Sequence, residues 1–288
     1  MRRLNSLGGK GPWLFAAPWI AWAAVRALGL DLGHPLVALM SLTPYVAATS
    51  WLPFMVAAAR LDRRAALASG AAMLVLAALV LPRAMGEPST GYGERIVVMT
   101  SNLYVGRADP RAVLAIADRE GVDVLSLQEL TESARAGLRR AGLERRFPVV
   151  VGPRTGESGV FARRGLRNDV RVLAVHPPPP ISRSAARTWT ATLDGLPSAR
   201  GRVLHVIAGD FNATLDQRAF RRVLDRGYED AAAATGNGLK PTWPVGRLRP
   251  PVTIDHVLAD ERLGIARSAV HEVRGSDHRA IVAELILP

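Results

Sequence analysis

The chain has no cysteine among its 288 residues, which excludes disulfides, thiolate metal centres and a cysteine nucleophile. Any metal is left to oxygen ligands and histidine. Acidic residues are nearly missing from the first 85 positions, where only Asp31 and Asp62 stand against 8 Lys/Arg; residues 86–288 hold 23 acids against 29 Lys/Arg. Each part is therefore about +6, a balance that suits an anionic substrate through long-range attraction and equally serves solubility. Charge is absent altogether from 35–59. No short apolar run followed by a cleavage site stands out, which argues against a removed signal peptide.

Three apolar runs fill the first 85 residues, at 12–30, 35–59 and 65–82, more than a soluble core needs. The middle run has 25 residues and the last 18, enough to cross a bilayer core of about 30 Å as helices. The first contains Arg26 near its end, where the guanidinium can snorkel to the interface. Three transmembrane helices are expected. Arg2, Arg3 and Lys10 precede the first span and Arg60, Arg63 and Arg64 separate the last two, whereas the connection 31–34 has no Lys or Arg. Basic flanks stay in the cytoplasm, so an extracytoplasmic placement of everything after Pro82 is expected for this multi-pass cell-membrane protein, with Arg83 a mild counterargument. The Gly, Pro and Ser content of 83–95 reads as a flexible linker, setting it at 86–95 and a second domain at 96–288.

In that second domain β-rich runs at 96–100, 122–128, 170–176, 202–208, 252–259 and 280–287 alternate with helical stretches at 110–120, 182–196 and 215–226. Asp109 is a fitting N-cap and Pro110 a fitting first helical residue. Such alternation defines an α/β domain but no function. Polar residues at or just beyond the C-terminal ends of predicted strands, or in the loops that follow, carry more: Asn102, Glu129, His176, Asp210, Asn212, Asp255, Asp277 and His278 form one site if those ends gather on one edge of the sheets.

Glu129 ends the apolar run LSLQEL, where a carboxylate either caps the next turn or holds a hard cation such as Mg²⁺ or Mn²⁺. Asn102, in MTSNLYVG, fits a turn or a site. In AGDFNAT (208–214) the glycine permits close approach to a ligand, and Asp210 and Asn212, two apart in extended chain, face one side. Asp-His pairs recur in TIDHVLA and GSDHRAIVAEL; a carboxylate that orients an imidazole makes an acid or base near neutral pH.

The ordered set SN, QE, His176, GDFN, IDH and SDH resembles the endonuclease/exonuclease/phosphatase superfamily over residues 95–288. That superfamily includes DNase I-like nucleases, abasic-site endonucleases, inositol polyphosphate 5-phosphatases and neutral sphingomyelinases. The resemblance implies a DNase I-like α/β sandwich, two packed β-sheets flanked by helices, here preceded by the three-helix transmembrane region. It places Asn102, Glu129 and Asp277 at a divalent metal, Mg²⁺ or Mn²⁺, with Glu129 the principal ligand. His278 would pair with Asp255 and act on the scissile phosphate, Asp210 would orient or deprotonate the attacking water, Asn212 would hold that water or a phosphate oxygen, and His176 would donate to the phosphate. The interval from Glu129 to His176 is short for the family, which trims loops that grip substrate.

HPPPP at 176–180 is either a rigid wall or a loop. Trp243, in PTWP, either stacks on substrate or plugs the loop onto the core. Arg183 and Arg187, one helical turn apart, either meet an anionic substrate or face solvent. The expected partners are a phosphate ester, of nucleic acid or phospholipid, and the membrane; no protein partner is expected. A catalytically silent envelope-binding or sensing module on the same fold is the alternative.

Overall fold

The computed structural model describes residues 10–155 and 157–288; Arg2 and Arg3 lie outside them. The chain opens with helices α1 (Gly11–Leu28), α2 (Leu36–Leu39), α3 (Thr43–Thr49), α4 (Trp51–Ala59) and α5 (Arg63–Val80). Asp62 starts α5 by accepting a hydrogen bond from the Ala65 amide, the usual satisfaction of an orphan N–H at a helix start. Of the 22 large hydrophobic side chains exposed among the described residues, 17 fall between Trp13 and Met85, an apolar surface far beyond scattered exceptions.

Among the described residues only Arg63–Ala84 is a continuous helix long and apolar enough to cross a membrane, and Leu36–Thr49 with Trp51–Ala59 qualify together as a pair bent by 44°. The expectation of three spans is therefore not supported. α1 carries Trp13, Trp19 and Trp22, side chains that favour the membrane–water boundary over its centre. Nor does Arg26 snorkel. It is 6% exposed and donates to Asp216 Oδ1 at 2.8 Å and to the Leu215 carbonyl at 3.1 Å.

Beyond these helices the elements run β1 (Arg95–Asn102), α6 (Pro110–Arg119), β2 (Val124–Gln128), α7 (Glu132–Arg140), α8 (Leu143–Arg146), β3 (Val149–Thr155), β4 (Ser158–Ala162), β5 (Val170–Val175), α9 (Arg183–Asp194), β6 (Leu204–Asp210), α10 (Arg218–Leu224), β7 (Tyr228–Asp230), α11 (Ala231–Ala234), β8 (Asp255–Asp260), β9 (Gly264–Glu272) and β10 (Arg279–Ile286). One sheet has the order β3-β4-β2-β1-β10-β9 and the other β5-β6-β8-β7. β1 runs parallel to β2 and β5 parallel to β6, while β1–β10 and β6–β8 are antiparallel.

Alternation along the strands explains the layers. Ile96, Val98, Val124, Val206, Ala208, Val257 and Ile281 fill the core between the sheets. Met99, Leu125, Leu127 and Val282 face the other way, against Val113, Ala117 and Leu138 of α6 and α7. Ile207 and Leu258 meet Trp189, Leu193 and Phe220 of α9 and α10. Strands covered on both faces read as near-continuous apolar runs, as β2 and β8 do. β3, β4, β7 and β9 were not read: β9 has only two buried residues, Ile265 and Ser268, and β4, although wholly buried, is a run of five that includes Ser158 and Gly159.

Segment 86–95, with a linker's composition, is laid against the sandwich. The Ser89 amide donates to the Ile265 carbonyl at 2.7 Å, the Ile265 amide returns a bond to Ser89 Oγ at 3.1 Å, and a Cβ on Gly86 would stand 2.2 Å from the Ala233 carbonyl oxygen.

Fixed charges tie the N-terminal helices to the sandwich. Asp216, fully buried, accepts from Arg26 at the end of α1 and, at 2.8 and 2.6 Å, from both terminal nitrogens of Arg83 beyond α5. Asp31 caps α10 by accepting from the Arg218 amide at 2.8 Å, Gln217 donates to the Val37 carbonyl at 3.2 Å, and Tyr45 donates to the Pro251 carbonyl at 2.6 Å. Removing the carboxylate that Arg26 and Arg83 share leaves buried cations without their paired anion. Asp216→Ala should therefore destabilise the full chain by about 3–5 kcal/mol, read by denaturant unfolding in detergent; a loss under about 1 kcal/mol would show that the cluster does not hold these parts together.

Candidate active site

The C-terminal ends of β1 and β6 deliver Asn102 and Asp210 from different sheets to one point. Asn102, fully buried, donates through Nδ2 to Glu129 Oε1 and to Asp210 Oδ2, both at 3.0 Å, while its Oδ1 accepts from the Tyr104 amide at 2.9 Å. Asn102 thus bridges two carboxylates through its amide nitrogen, while its oxygen, already accepting one hydrogen bond, keeps a second lone pair. Glu129 Oε2 accepts from the Val105 amide.

His176, just past β5, holds Nε2 3.7 Å from both Glu129 Oε1 and Asp210 Oδ2. His278 Nε2 lies 3.8 Å from Asp210 Oδ2 and 3.9 Å from Asp277 Oδ1, and its Nδ1 is 2.9 Å from Asp255 Oδ2. Asn212 donates to the Pro177 carbonyl at 3.0 Å, and its amide to Asp210 Oδ1 at 2.8 Å. All the expected catalytic and metal residues therefore gather.

Neither Asp-His pair bonds within itself. Adjacent strand residues point to opposite faces, so Asp255 turns to His278, whereas His256 turns to Asp230 at 2.7 Å and to the Ala213 carbonyl at 2.8 Å. Gly209 is also used differently from the expectation: a Cβ there would stand 2.0 Å from the Val175 carbonyl oxygen of the neighbouring strand, so the close approach is to backbone.

A cavity of about 500 Å³ opens over this cluster. Pro179, Pro180 and Ile181 form one wall, which makes the proline run a wall, and Trp243 another. The Trp243 Nε1–H donates to Asp277 Oδ2 at 3.3 Å, and its ring centre lies 6.2 Å from that of His278. Tyr104, Val105, Glu129 and Asn212 have left-handed backbones with φ of 49°, 50°, 53° and 47°. All four line the cavity. Strain of this kind persists where surrounding structure enforces it and concentrates at functional sites.

Arg183 and Arg187 are not brought in. They line a separate open groove with Leu32, Gly33 and His34, because α9 packs Ala186, Trp189 and Leu193 inward and leaves its arginines outside. Sequence reasoning missed Arg247, which reaches Asp277 Oδ2 at 3.0 Å and donates to the Tyr104 hydroxyl at 2.6 Å. It sits in an irregular loop with no period to mark it. It missed Ser276 as well, whose hydroxyl donates to the Asn102 carbonyl and accepts from the His278 amide; the clue was its place in SDH.

Burial, then the Asp255 carboxylate, pushes the Asp210 carboxyl up to about 6, against the pull of His278 and His176. For His278 burial disfavours the cation, but Asp255, Asp210 and Asp277 outweigh it and lift the imidazole to about 9. Near neutral pH the pair is thus a carboxylate facing an imidazolium.

The donor set fits a hard divalent cation. Asp277 Oδ1 is a buried carboxylate oxygen without a hydrogen-bond partner, as is Asp255 Oδ1, and Asp277 shares the cavity wall with the Glu129 carboxylate; hard cations take such oxygens. Asp210, Asp255 and His278 also offer ligand atoms within 4.8 Å of one another. There, however, His278 Nδ1 is already engaged with Asp255.

The Endonuclease/Exonuclease/phosphatase family matches residues 99–278, more than half of the chain. The chain belongs to this family. Comparison with curated proteins finds no match. Among solved structures, the chain is similar to an endonuclease/exonuclease/phosphatase from Beutenbergia cavernae, with 20% identity, 67% of this chain and 72% of that chain covered and a TM-score of 0.51. It is similar also to D. rerio TDP2 complexed with single strand DNA product (14%, 67% and 100%, 0.53) and to an AP endonuclease from Archaeoglobus fulgidus (14%, 65% and 98%, 0.51). At these identities the likeness is one of fold, the two-sheet sandwich flanked by helices.

His256 yields a test of the electrostatics. Burial disfavours its cation, but Asp230 overrides this and raises the imidazole above its ordinary value. A raised folded pKa stabilises fully below the unfolded value of about 6.5 and loses that contribution as pH climbs through the folded one. The stability gap between wild type and His256→Gln should therefore be widest near pH 6 and shrink by pH 9 in urea titrations. A constant gap would show that His256 is neutral throughout.

Proposed function

We propose that the chain is a divalent-metal-dependent phosphoesterase, using Mg²⁺ or Mn²⁺, held at a membrane by its N-terminal helices. One observation carries the reading: a single Asn102 amide holds Glu129 and Asp210 together with two histidine Nε2 atoms within 4 Å of Asp210. Bound at Glu129 and Asp277, a hard cation would offset negative charge on a phosphoryl oxygen.

The chain's own residues supply the rest. Asp210, poised near neutrality by burial, aligns a water and accepts its proton. The His278 imidazolium, held by Asp255, faces the phosphate and stabilises its charge or protonates the leaving oxygen. His176 donates to a phosphate oxygen. Asn212, anchored on the Pro177 carbonyl, borders the same space. No covalent nucleophile is required.

Membrane attachment is supported by the apolar surface of residues 13–85 and by the one or two helices that meet the length requirement. Eighteen residues of α5 rise roughly 27 Å, which separates exposed Arg63 and Arg64 at one end from Arg83, bonded to the sandwich, at the other. That polarity favours a basic cytoplasmic turn and an extracytoplasmic sandwich.

Full-length protein in detergent should hydrolyse a generic chromogenic phosphodiester with Mg²⁺ or Mn²⁺ and stop with EDTA. Asp210→Asn and His278→Gln should each lower kcat at least about 100-fold with an unchanged circular dichroism spectrum; activity within threefold of wild type would refute the assigned roles. Protease added to intact cells should cleave the sandwich, and protection until lysis would reverse the orientation.

A further inference from the structure

The cavity has a wall that the family match does not cover. Ala38 of α2 and Ser41 lie in it, although both belong to the apolar N-terminal region, outside residues 99–278. The wall is fixed from both sides: the Val37 carbonyl accepts from Gln217, Tyr45 bonds to Pro251 next to the cavity residue Val252, and Arg26 and Arg83 converge on Asp216, four residues after Asn212. The N-terminal helices are thereby part of the site and not a remote tether.

This wall is apolar and continues outward. Leu36 and Leu39, flanking Ala38 on the same helical turn, are 39% and 40% exposed. Across the cavity Ile181 is 72% exposed beside Pro179 and Pro180, and Val105 is 61% exposed. Exposed apolar side chains around a polar catalytic floor match an amphiphile, whose phosphate meets His278 while its hydrocarbon stays against the wall.

We infer that the substrate is a phospholipid, whose phosphodiester reaches Asp210 and His278 from the bilayer between the walls that carry Ala38 and Ile181. The inference rests on the phosphoesterase reading above. In the reaction, water forms a new P–O bond, the P–O bond to one alcohol of the lipid breaks, Asp210 accepts the water proton and His278 gives a proton to the leaving alkoxide. A phosphomonoester and an alcohol result, with no oxidant or reductant. A nucleic-acid strand would find Arg249 in the cavity lining and Arg247 beside Asp277, but its approach runs past the exposed hydrocarbon of Leu36, Leu39 and Ile181, which offers a polyanion backbone no cation to follow.

The test uses the full chain in detergent micelles with four substrates: mixed micelles of long-chain phosphatidylglycerol, a short-chain, water-soluble phosphatidylglycerol, a chromogenic phosphodiester and single-stranded DNA. For wild type, kcat/KM for the long-chain lipid should exceed that for its short-chain analogue and for DNA at least tenfold. Ile181→Asp and Ala38→Trp, on separate elements, should each lower the ratio of long-chain to chromogenic turnover at least fivefold, through KM. Equal rates on long- and short-chain lipid, faster cleavage of DNA, or an unchanged ratio in both variants would overturn the lipid assignment while leaving the phosphoesterase intact. Failure on all four substrates with Mg²⁺ and with Mn²⁺ would overturn both.

Discussion

Everything at the site depends on one buried amide. Asn102 ends β1 in the six-stranded sheet and Asp210 ends β6 in the four-stranded one, and the Asn102 Nδ2 group is donor to Asp210 and Glu129 alike. Two carboxylates brought this close repel, and burial raises the cost of their charge. A neutral double donor between them offsets part of that cost and sets their spacing. It also stitches the two sheets at the edge where the strands end, as the Ser126 hydroxyl does one layer deeper through the Ala208 carbonyl. The strained turns at Tyr104, Val105, Glu129 and Asn212 follow from this convergence, since each chain must reverse at once to leave room for a substrate.

The second constraint is the Asp216 cluster, which makes the apolar N-terminal third structurally continuous with the catalytic sandwich. Arg26 and Arg83, 57 positions apart in the sequence, meet one carboxylate. Burying two guanidiniums is unfavourable unless every charge is paired, so α1 and the end of α5 have one docking position on the loop that follows Asn212. That docking carries α2 to the cavity. The N-terminal helices and the chemistry therefore share a wall.

Much of the site was legible in the sequence because its residues end apolar strands. Where a strand is covered on both faces, its polar terminus stands out, as at Gln128–Glu129 and Asp210; Asp255, inside the predicted run 252–259, proves to be the first residue of β8. Pairings were less legible. IDH and SDH look alike as strings, yet Asp255 serves His278 and His256 serves Asp230, because strand alternation sends the neighbours of one pair to opposite faces. Arg183 and Arg187 carried the right charge at the right spacing, but packing of Trp189 turned their helix face away.

The sequence by itself determined the α/β class, six of the strands, the polar set at their ends and the exclusion of sulfur chemistry, because these follow from composition and periodicity along the chain. Tertiary structure alone decided that the Asn102 oxygen accepts from the Tyr104 amide, that Arg26 and Arg83 share Asp216, that Arg247 meets Asp277, and that α2 borders the cavity. Each of these joins residues far apart in sequence or fixes the direction of a side chain, and no local pattern encodes such distances; they are set by how the sheets and helices pack.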